Sequence, residues 1–494
     1  MKFISTRGSS QVDCSARAIA KGLADDGGLF VPEKFPSVSI KELESMLDMD
    51  YAERACFVLH KYLEEYDYES LLTACKNAYG KFEDADAAPI VKLDENLFIM
   101  ELFHGPTLAF KDVALTLLPY LLREGSNISG IKEKILILVA TSGDTGKAAL
   151  EGFKDAEGIK IMVFYPSEGV SDMQKLQMRT QEGANVNVVG VNGNFDDCQT
   201  AVKKIFTSSE INKELLDKDV VLSSANSINF GRLAPQITYY FSAYADLINS
   251  GEIKMGDKVD FVVPTGNFGN ILAGYYAKKM GLPVGKLVCA SNSNNVLTEF
   301  FASGTYDANR EFFKTISPSM DILISSNLER LIFELSNRDA SLTAKRMNEL
   351  KEVGKYSLSK DELDKMGKEF YADFSDEEEC STTINECFEE YGYVLDPHTA
   401  VALDVTLGYI NYTQTENAIV VLSTASPYKF AHDVLKAVSG KAPQDAFKSA
   451  ELLSENTAAP IPEQILSLKT KQVRFTQTID KTKTVEAVME FISK

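Results

Sequence analysis

Ile135-Leu-Ile-Leu-Val-Ala-Thr-Ser-Gly-Asp-Thr-Gly146, followed by a helical run from Ala148, reads as a buried strand passing through a polar, glycine-containing turn into a helix. Its apolar part, Ile135 to Ala140, is strand-length and far short of a membrane span. The same texture recurs on both sides. Short β-branched runs at Leu97 to Leu102, Ile159 to Tyr165, Val186 to Val191, Val259 to Val263, Leu287 to Ala290 and Ile419 to Leu422 alternate with helical patterns. Parallel strands joined by crossover helices produce that alternation, so the fold class is α/β.

Upstream of Pro89 the texture is different. Helical patterns around Ile40 to Leu47 and Tyr51 to Tyr66 mark residues 1–85 as a separate, helical N-terminal unit. Residues 86–112 and 246–494 are expected to form the larger α/β unit, and 113–245 a smaller one. The charge-rich stretch at about 340–392 reads as solvated helices elaborating the larger unit.

Composition excludes several function classes. A formal net charge of −20 does not favour the basic patch that a nucleic-acid surface needs, so no nucleic acid is expected as a partner. The start of the chain lacks the continuous apolar core of a secretory signal. Seven scattered cysteines without a Cys-x-x-Cys pair fit free thiols in a reducing compartment, so a cytoplasmic location is expected. The four histidines show no zinc spacing, so no metal is expected, and no Gly-x-Ser-x-Gly marks a serine nucleophile.

Five stretches carry chemistry. In Glu101-Leu-Phe-His-Gly-Pro-Thr-Leu-Ala-Phe-Lys-Asp112, Lys111 follows a turn and opens an amphipathic helix, where loss of hydration would free its amine for a Schiff base. Taken alone, a solvated helix lysine is the commoner reading. In the turn Thr141 to Gly146, Ser142, Gly143 and Thr145 offer donors to a carboxylate or phosphate at a helix start, the alternative being simple capping. In Pro264-Thr-Gly-Asn-Phe-Gly-Asn270 two glycines allow close backbone approach to a phosphate, although Gly-x-x-Gly lacks the third glycine of a dinucleotide fingerprint. Ser423-Thr-Ala-Ser-Pro427 places Thr424 or Ser423 at the carboxyl end of a buried strand, where a hydroxyl could meet a ring nitrogen; a plain turn before Pro427 is the alternative. Finally, Asn226, Asn229 and Arg232 are candidates for an anionic substrate, against a reading as caps and a surface ion pair. Pro235 is expected to interrupt the helix that follows.

A lysine, a glycine loop, a polar turn and a hydroxyl together describe a pyridoxal phosphate site, and the chain resembles the threonine synthase family in its longer bacterial and fungal branch. The matching blocks are Ser5-Thr-Arg7, Gly22-Leu-Ala-Asp-Asp-Gly-Gly-Leu-Phe-Val-Pro32, His104 to Asp112, Ala140 to Gly146, Asn226-Ser-Ile-Asn229 with Arg232, Gly266 to Asn270, Asp396-Pro-His-Thr-Ala400 and Ser423 to Pro427. They span nearly the whole chain. Ser426 stands where family members often have histidine.

The resemblance implies fold type II among pyridoxal phosphate enzymes, tryptophan synthase β-like, with a smaller mobile domain. It implies Lys111 as the lysine that bonds the cofactor, Gly266, Asn267, Phe268, Gly269 and Asn270 around its phosphate, and Thr424 at its pyridine nitrogen. Ser142, Gly143 and Thr145 would bind the substrate carboxylate, with Asn229 and Arg232 near its phosphate. The implied reaction turns O-phospho-L-homoserine and water into L-threonine and phosphate by γ-elimination and β-addition, the last step of threonine biosynthesis. The chain would act as a monomer or small homo-oligomer. A serine or threonine dehydratase, or a non-catalytic protein that binds the cofactor, is the alternative.

Overall fold

The apolar runs become the strands of two parallel sheets in the computed structural model, which describes residues 1–141, 143–167 and 170–493. The larger sheet orders its strands Phe370–Phe374, Val284–Ser291, Val259–Pro264, Ala418–Ser423, Leu97–Glu101 and Ile90–Asp94. Only the last pair is antiparallel. Val259–Pro264 and Ala418–Ser423 are buried at every position, as strands covered by helices on both faces must be. The smaller sheet runs Thr478–Asp480, Val186–Asn192, Ile159–Pro166, Lys134–Ala140 and Val220–Ser223, parallel throughout.

Several features depart from the expectation. Residues 1–85 are not purely helical, because Gln11–Val12, Phe3–Ser5 and Phe30–Pro32 form a three-stranded antiparallel sheet from strands too short to show a periodicity. The helix from Tyr51 ends at His60, and Asp67 then caps a new one, Tyr68–Tyr79, by accepting from Ser70 N–H. Within 340–392, Phe370–Phe374 pairs with Val284–Ser291, so this stretch supplies an edge strand of the larger sheet between two charged helices. The end of the chain, expected with the larger unit, is built onto the smaller sheet: Thr478–Asp480 pairs with Gly190 to Asn192, and Ala487, Val488 and Phe491 of the last helix join Leu136 and Phe164 in one cluster.

Pro235 does not interrupt its helix. Phe230–Asn249 continues through it, with 17 of 20 residues buried. The one hydrogen bond that proline removes is outweighed by packing on all sides.

The chemistry-bearing turns follow the carboxyl ends of parallel strands, where open α/β sheets place ligands. Leu97–Glu101 leads to Lys111, Val259–Pro264 to the glycine loop, Ala418–Ser423 to Thr424, and Lys134–Ala140 to the polar turn. The helices carrying Lys111 and Asp144 meet closely: a Cβ added at Gly152 would lie 2.1 Å from the carbonyl oxygen of Leu115. Gly152→Ala should therefore lower the unfolding free energy by about 1–3 kcal/mol through overpacking. Urea unfolding checks this, and an unchanged midpoint would contradict the contact.

Candidate active site

Backbone hydrogen bonds stitch the lysine turn to the turn after Ala418–Ser423. Leu102 N–H donates to Ser423 O (2.9 Å), Phe110 N–H to Thr424 O (2.9 Å) and Ser426 N–H to Leu108 O (3.1 Å). Leu108 itself sits at φ +61°, as does Phe268 in the glycine loop. A bulky side chain seldom adopts that left-handed backbone, and here one such residue lies in the lysine turn and one in the glycine loop.

Lys111 is buried, its Nζ 3.2 Å from Ser319 Oγ, which accepts from it, and 3.7 Å from Asp144 Oδ2. Burial brings its pKa down to about 8, against the opposing pull of Asp144 and with help from the like charges of Lys429 and Arg232. Burial would raise the Asp144 carboxyl, but Lys429 and Lys111 together hold it well below the usual range. Lys429, also buried, donates to Asp144 Oδ1 at 2.8 Å and to Thr107 O at 2.9 Å. Gln174 Nε2 donates to the same Oδ1 at 2.9 Å.

Ser319 is fixed from behind. Its N–H donates to His398 Nε2 (3.1 Å), so the ring proton sits on Nδ1 and is donated to Asp396 Oδ1 (2.7 Å). Asp396 also accepts from Thr399 Oγ1, which lies 3.0 Å from Ser423 Oγ.

The glycine loop borders the same space, since a Cβ at Gly266 would meet Ser319 O at 2.8 Å. Ser325 Oγ holds Gly266 O at 2.7 Å, and Asn327 donates twice to Asn267 O at 3.1 Å. Phe268 contributes backbone only, because its buried ring packs on Phe301 and Phe370. Gly269 and Asn270 open the helix Gly269–Met280, whose first N–H groups lack helical acceptors. Asn270 is decisive. Its Oδ1 accepts from Tyr239 and Tyr240 hydroxyls, whereas its buried Nδ2 has no partner among the described residues. A buried N–H without an acceptor is costly, and a phosphate oxygen would satisfy it.

Among the described residues, Thr424 makes no side-chain hydrogen bond, leaving its hydroxyl for a ligand. Gly143 accommodates φ +150° against the Gln174 side chain, and half-buried Thr145 stands in the first turn of Asp144–Gly152. Ser142 lies outside the described residues. Among the described residues, buried Arg232 has no partner for Nε and only Ala225 O, at 2.8 Å, on its Nη1; burial brings its pKa down to about 10. Such a guanidinium suits an anion. Asn229, by contrast, is used up: Nδ2 donates to Ile19 O and Ser224 O, and Oδ1 accepts from Gly231 N–H, capping Phe230–Asn249. Its capping alternative describes it, and both amide donors that an anionic substrate would need are taken.

Sequence reading missed Ser319, Lys429, Gln174 and the charge role of Asp144. Lys429 carried a faint signal two residues after Pro427 at a strand end, while the others had none. Among the described residues no group of three or more His, Cys, Asp or Glu side chains could hold a metal ion.

Family models described as "Threonine synthase N terminus", "Pyridoxal-phosphate dependent enzyme" and "Threonine synthase, C-terminal" match residues 2–79, 86–345 and 399–492. "Threonine synthase-like 1" of Homo sapiens is 42% identical over 95% of this chain, which spans 65% of that relative's length. Threonine synthase of Saccharomyces cerevisiae is 38% identical over 100% of this chain and 98% of its own. The crystal structure of PLP-bound threonine synthase from Brucella melitensis superposes with a TM-score of 0.88 at 37% identity, covering 100% of this chain and 98% of that one.

The lowered Lys111 pKa makes a sign-definite prediction for protein stripped of any ligand. Between about 8 and the ordinary 10.5 the unfolded chain holds the extra proton, so stability should rise with pH across that window. Relative to Lys111→Met, which cannot titrate, the gain should be on the order of 2–3 kcal/mol, read from urea unfolding at pH 7.5 and 10.5. A flat difference would place the amine in water.

Proposed function

Since the chain belongs to the threonine synthase family of pyridoxal-phosphate-dependent enzymes, we propose that it converts O-phospho-L-homoserine and water to L-threonine and phosphate. The observation that carries this reading is a buried, readily deprotonated lysine enclosed with unpartnered anion donors, Asn270 Nδ2 and Arg232 Nε. These groups fit pyridoxal phosphate. When bound, that cofactor would supply an aldehyde carbon that an amine can bond and a conjugated ring that delocalises electrons released at the substrate Cα and Cβ.

We assign Lys111 as the lysine that bonds the cofactor. The Gly266 to Asn270 backbone and Asn270 Nδ2 would hold its phosphate, and Thr424 would stand at its ring nitrogen. A hydroxyl there, unlike a carboxylate, does not favour a protonated ring. Gly143, Ser142 and Thr145 would orient the substrate carboxylate, and Arg232 its phosphate. Lys111 Nζ, whose pKa burial lowers to about 8 so that it gives up its proton far more readily than an ordinary lysine, would take the substrate's Cα proton and return protons in later steps. Asp144 and Ser319 keep that amine on station between proton transfers, and the burial of Lys111 and Asp144 limits the access of bulk water to Nζ.

The units at 1–85, 86–112 with 246–494, and 113–245 serve as the working division, except that Thr478–Asp480 and the last helix go with the third, which closes over the larger one. Small molecules are its partners, without nucleic acid, in a monomer or small homo-oligomer. Seven free cysteines and no described helix long and apolar enough to cross a membrane support a cytoplasmic location.

Absorption of the cofactor-loaded protein, followed by phosphate release on adding O-phospho-L-homoserine, tests the assignment. Lys111→Ala should lose the visible band of the lysine-bound cofactor and slow phosphate release by about 10²–10⁴-fold or more. A retained band or undiminished release would refute Lys111's role. Release of ammonia and a keto acid from unphosphorylated serine or threonine, without turnover of the phosphorylated substrate, would favour a dehydratase.

A further inference from the structure

Two buried lysines share one buried carboxylate, and they share it unequally. Lys429 Nζ is 2.8 Å from Asp144 Oδ1 and has a second acceptor in Thr107 O. Gln174 Nε2 donates to that oxygen as well. Lys111 has only the far oxygen, Oδ2 at 3.7 Å, and the Ser319 hydroxyl at 3.2 Å, which itself lies 3.5 Å from Oδ2. We propose that Lys429 is a positioning residue that sets how readily Lys111 gives up its proton, by taking the near oxygen of the carboxylate the two amines share.

The argument is one of charge and geometry. A single negative charge in a water-poor site neutralises one ammonium well and a second poorly, and the amine with the longer contact yields its proton first. Lys429 cannot itself be the reacting amine, because its side chain is 0% exposed. The remaining charged groups do not reverse this order. Arg232 opposes a positive charge on Lys111. Asp112 is engaged by Thr107, whose N–H and hydroxyl donate to it at 2.7 and 2.6 Å. His398 reaches Lys111 only through Ser319, and its ring is tied to Asp396. The turn after Ala418–Ser423 thus contributes both Thr424, whose carbonyl accepts from Phe110 N–H, and a charge regulator that acts on Lys111 through Asp144.

The inference rests on Lys111 being the reacting amine, and its test needs neither cofactor nor substrate. In protein freed of cofactor, competitive labelling with trace acetic anhydride across pH 6 to 11, with the Lys111 peptide followed by mass spectrometry, gives the midpoint at which its amine becomes free. The wild type should titrate near the value of about 8. In Lys429→Met, Asp144 turns wholly to Lys111 and the midpoint should rise by roughly 1–3 pH units. Lys429→Arg, which keeps the charge, should leave it in place, and Asp144→Asn should lower it. An unmoved or lowered midpoint in Lys429→Met overturns the inference. Should that variant fail to fold, a raised midpoint in Lys429→Arg or an unlowered one in Asp144→Asn does the same. Loss of phosphate release with the predicted midpoints intact would instead count against the proposed reaction alone.

Discussion

The carboxylate of Asp144 has left water almost entirely, and the site's architecture follows from what makes that tolerable. An isolated buried carboxylate would be protonated or expelled; this one is met by two lysines and an amide. Its partners come from different parts of the chain. Asp144 opens the helix after Lys134–Ala140 of the smaller sheet, Gln174 lies in the helix Asp172–Arg179 after Ile159–Pro166 of the same sheet, Lys429 follows the strand Ala418–Ser423 of the larger one, and Lys111 follows Leu97–Glu101. The ion cluster is thus also a clamp between the sheets, at the point where both present the carboxyl ends of their strands. Removing one partner of such a cluster costs about 3–5 kcal/mol, because it strands the opposite charge. The placement of Lys111 and the closeness of the two units therefore share one electrostatic cause.

What the sequence made legible was whatever a local pattern can encode. Period and run length identified Val259–Pro264 and Ala418–Ser423 as buried strands, and Gly266 and Gly269 marked the loop between strand and helix. The lysine turn was legible because Pro106 and the apolar spacing after it imply a helix start at Lys111. Features set by distant partners were not. Nothing near Ser319 announces that its hydroxyl meets a lysine 208 positions away, and nothing near Lys429 announces Asp144. Asn229 misled for a related reason, since an asparagine before a helix can cap it or bind a ligand, and only the carbonyls of Ile19 and Ser224 decide the matter. The same limit hid Thr478–Asp480, three residues that become a strand only because Gly190 to Asn192 offers an edge.

Arg330 explains why the N-terminal unit belongs to a site whose reacting groups all lie elsewhere. Its guanidinium is wholly buried yet takes no carboxylate, because neighbouring Glu329 is turned to Thr6 and Arg7. Instead it donates to Phe30 O twice (3.1 and 3.0 Å), to Ser227 O and Ile228 O (3.4 and 2.7 Å), and to the side chain of Asn327. Asn327 in turn holds the carbonyl of Asn267 in the glycine loop. One planar cation therefore fixes, relative to one another, the strand Phe30–Pro32, the turn leading to Arg232 and the loop leading to Asn270. A lysine could not do this, since it lacks the rigid fork that reaches several carbonyls at set angles. The N-terminal unit is then part of the frame that keeps the two anion-seeking groups, Arg232 and Asn270, at a constant separation, and under the proposed function, with one phosphate on a cofactor and one on a substrate, that spacing has to be held before either arrives.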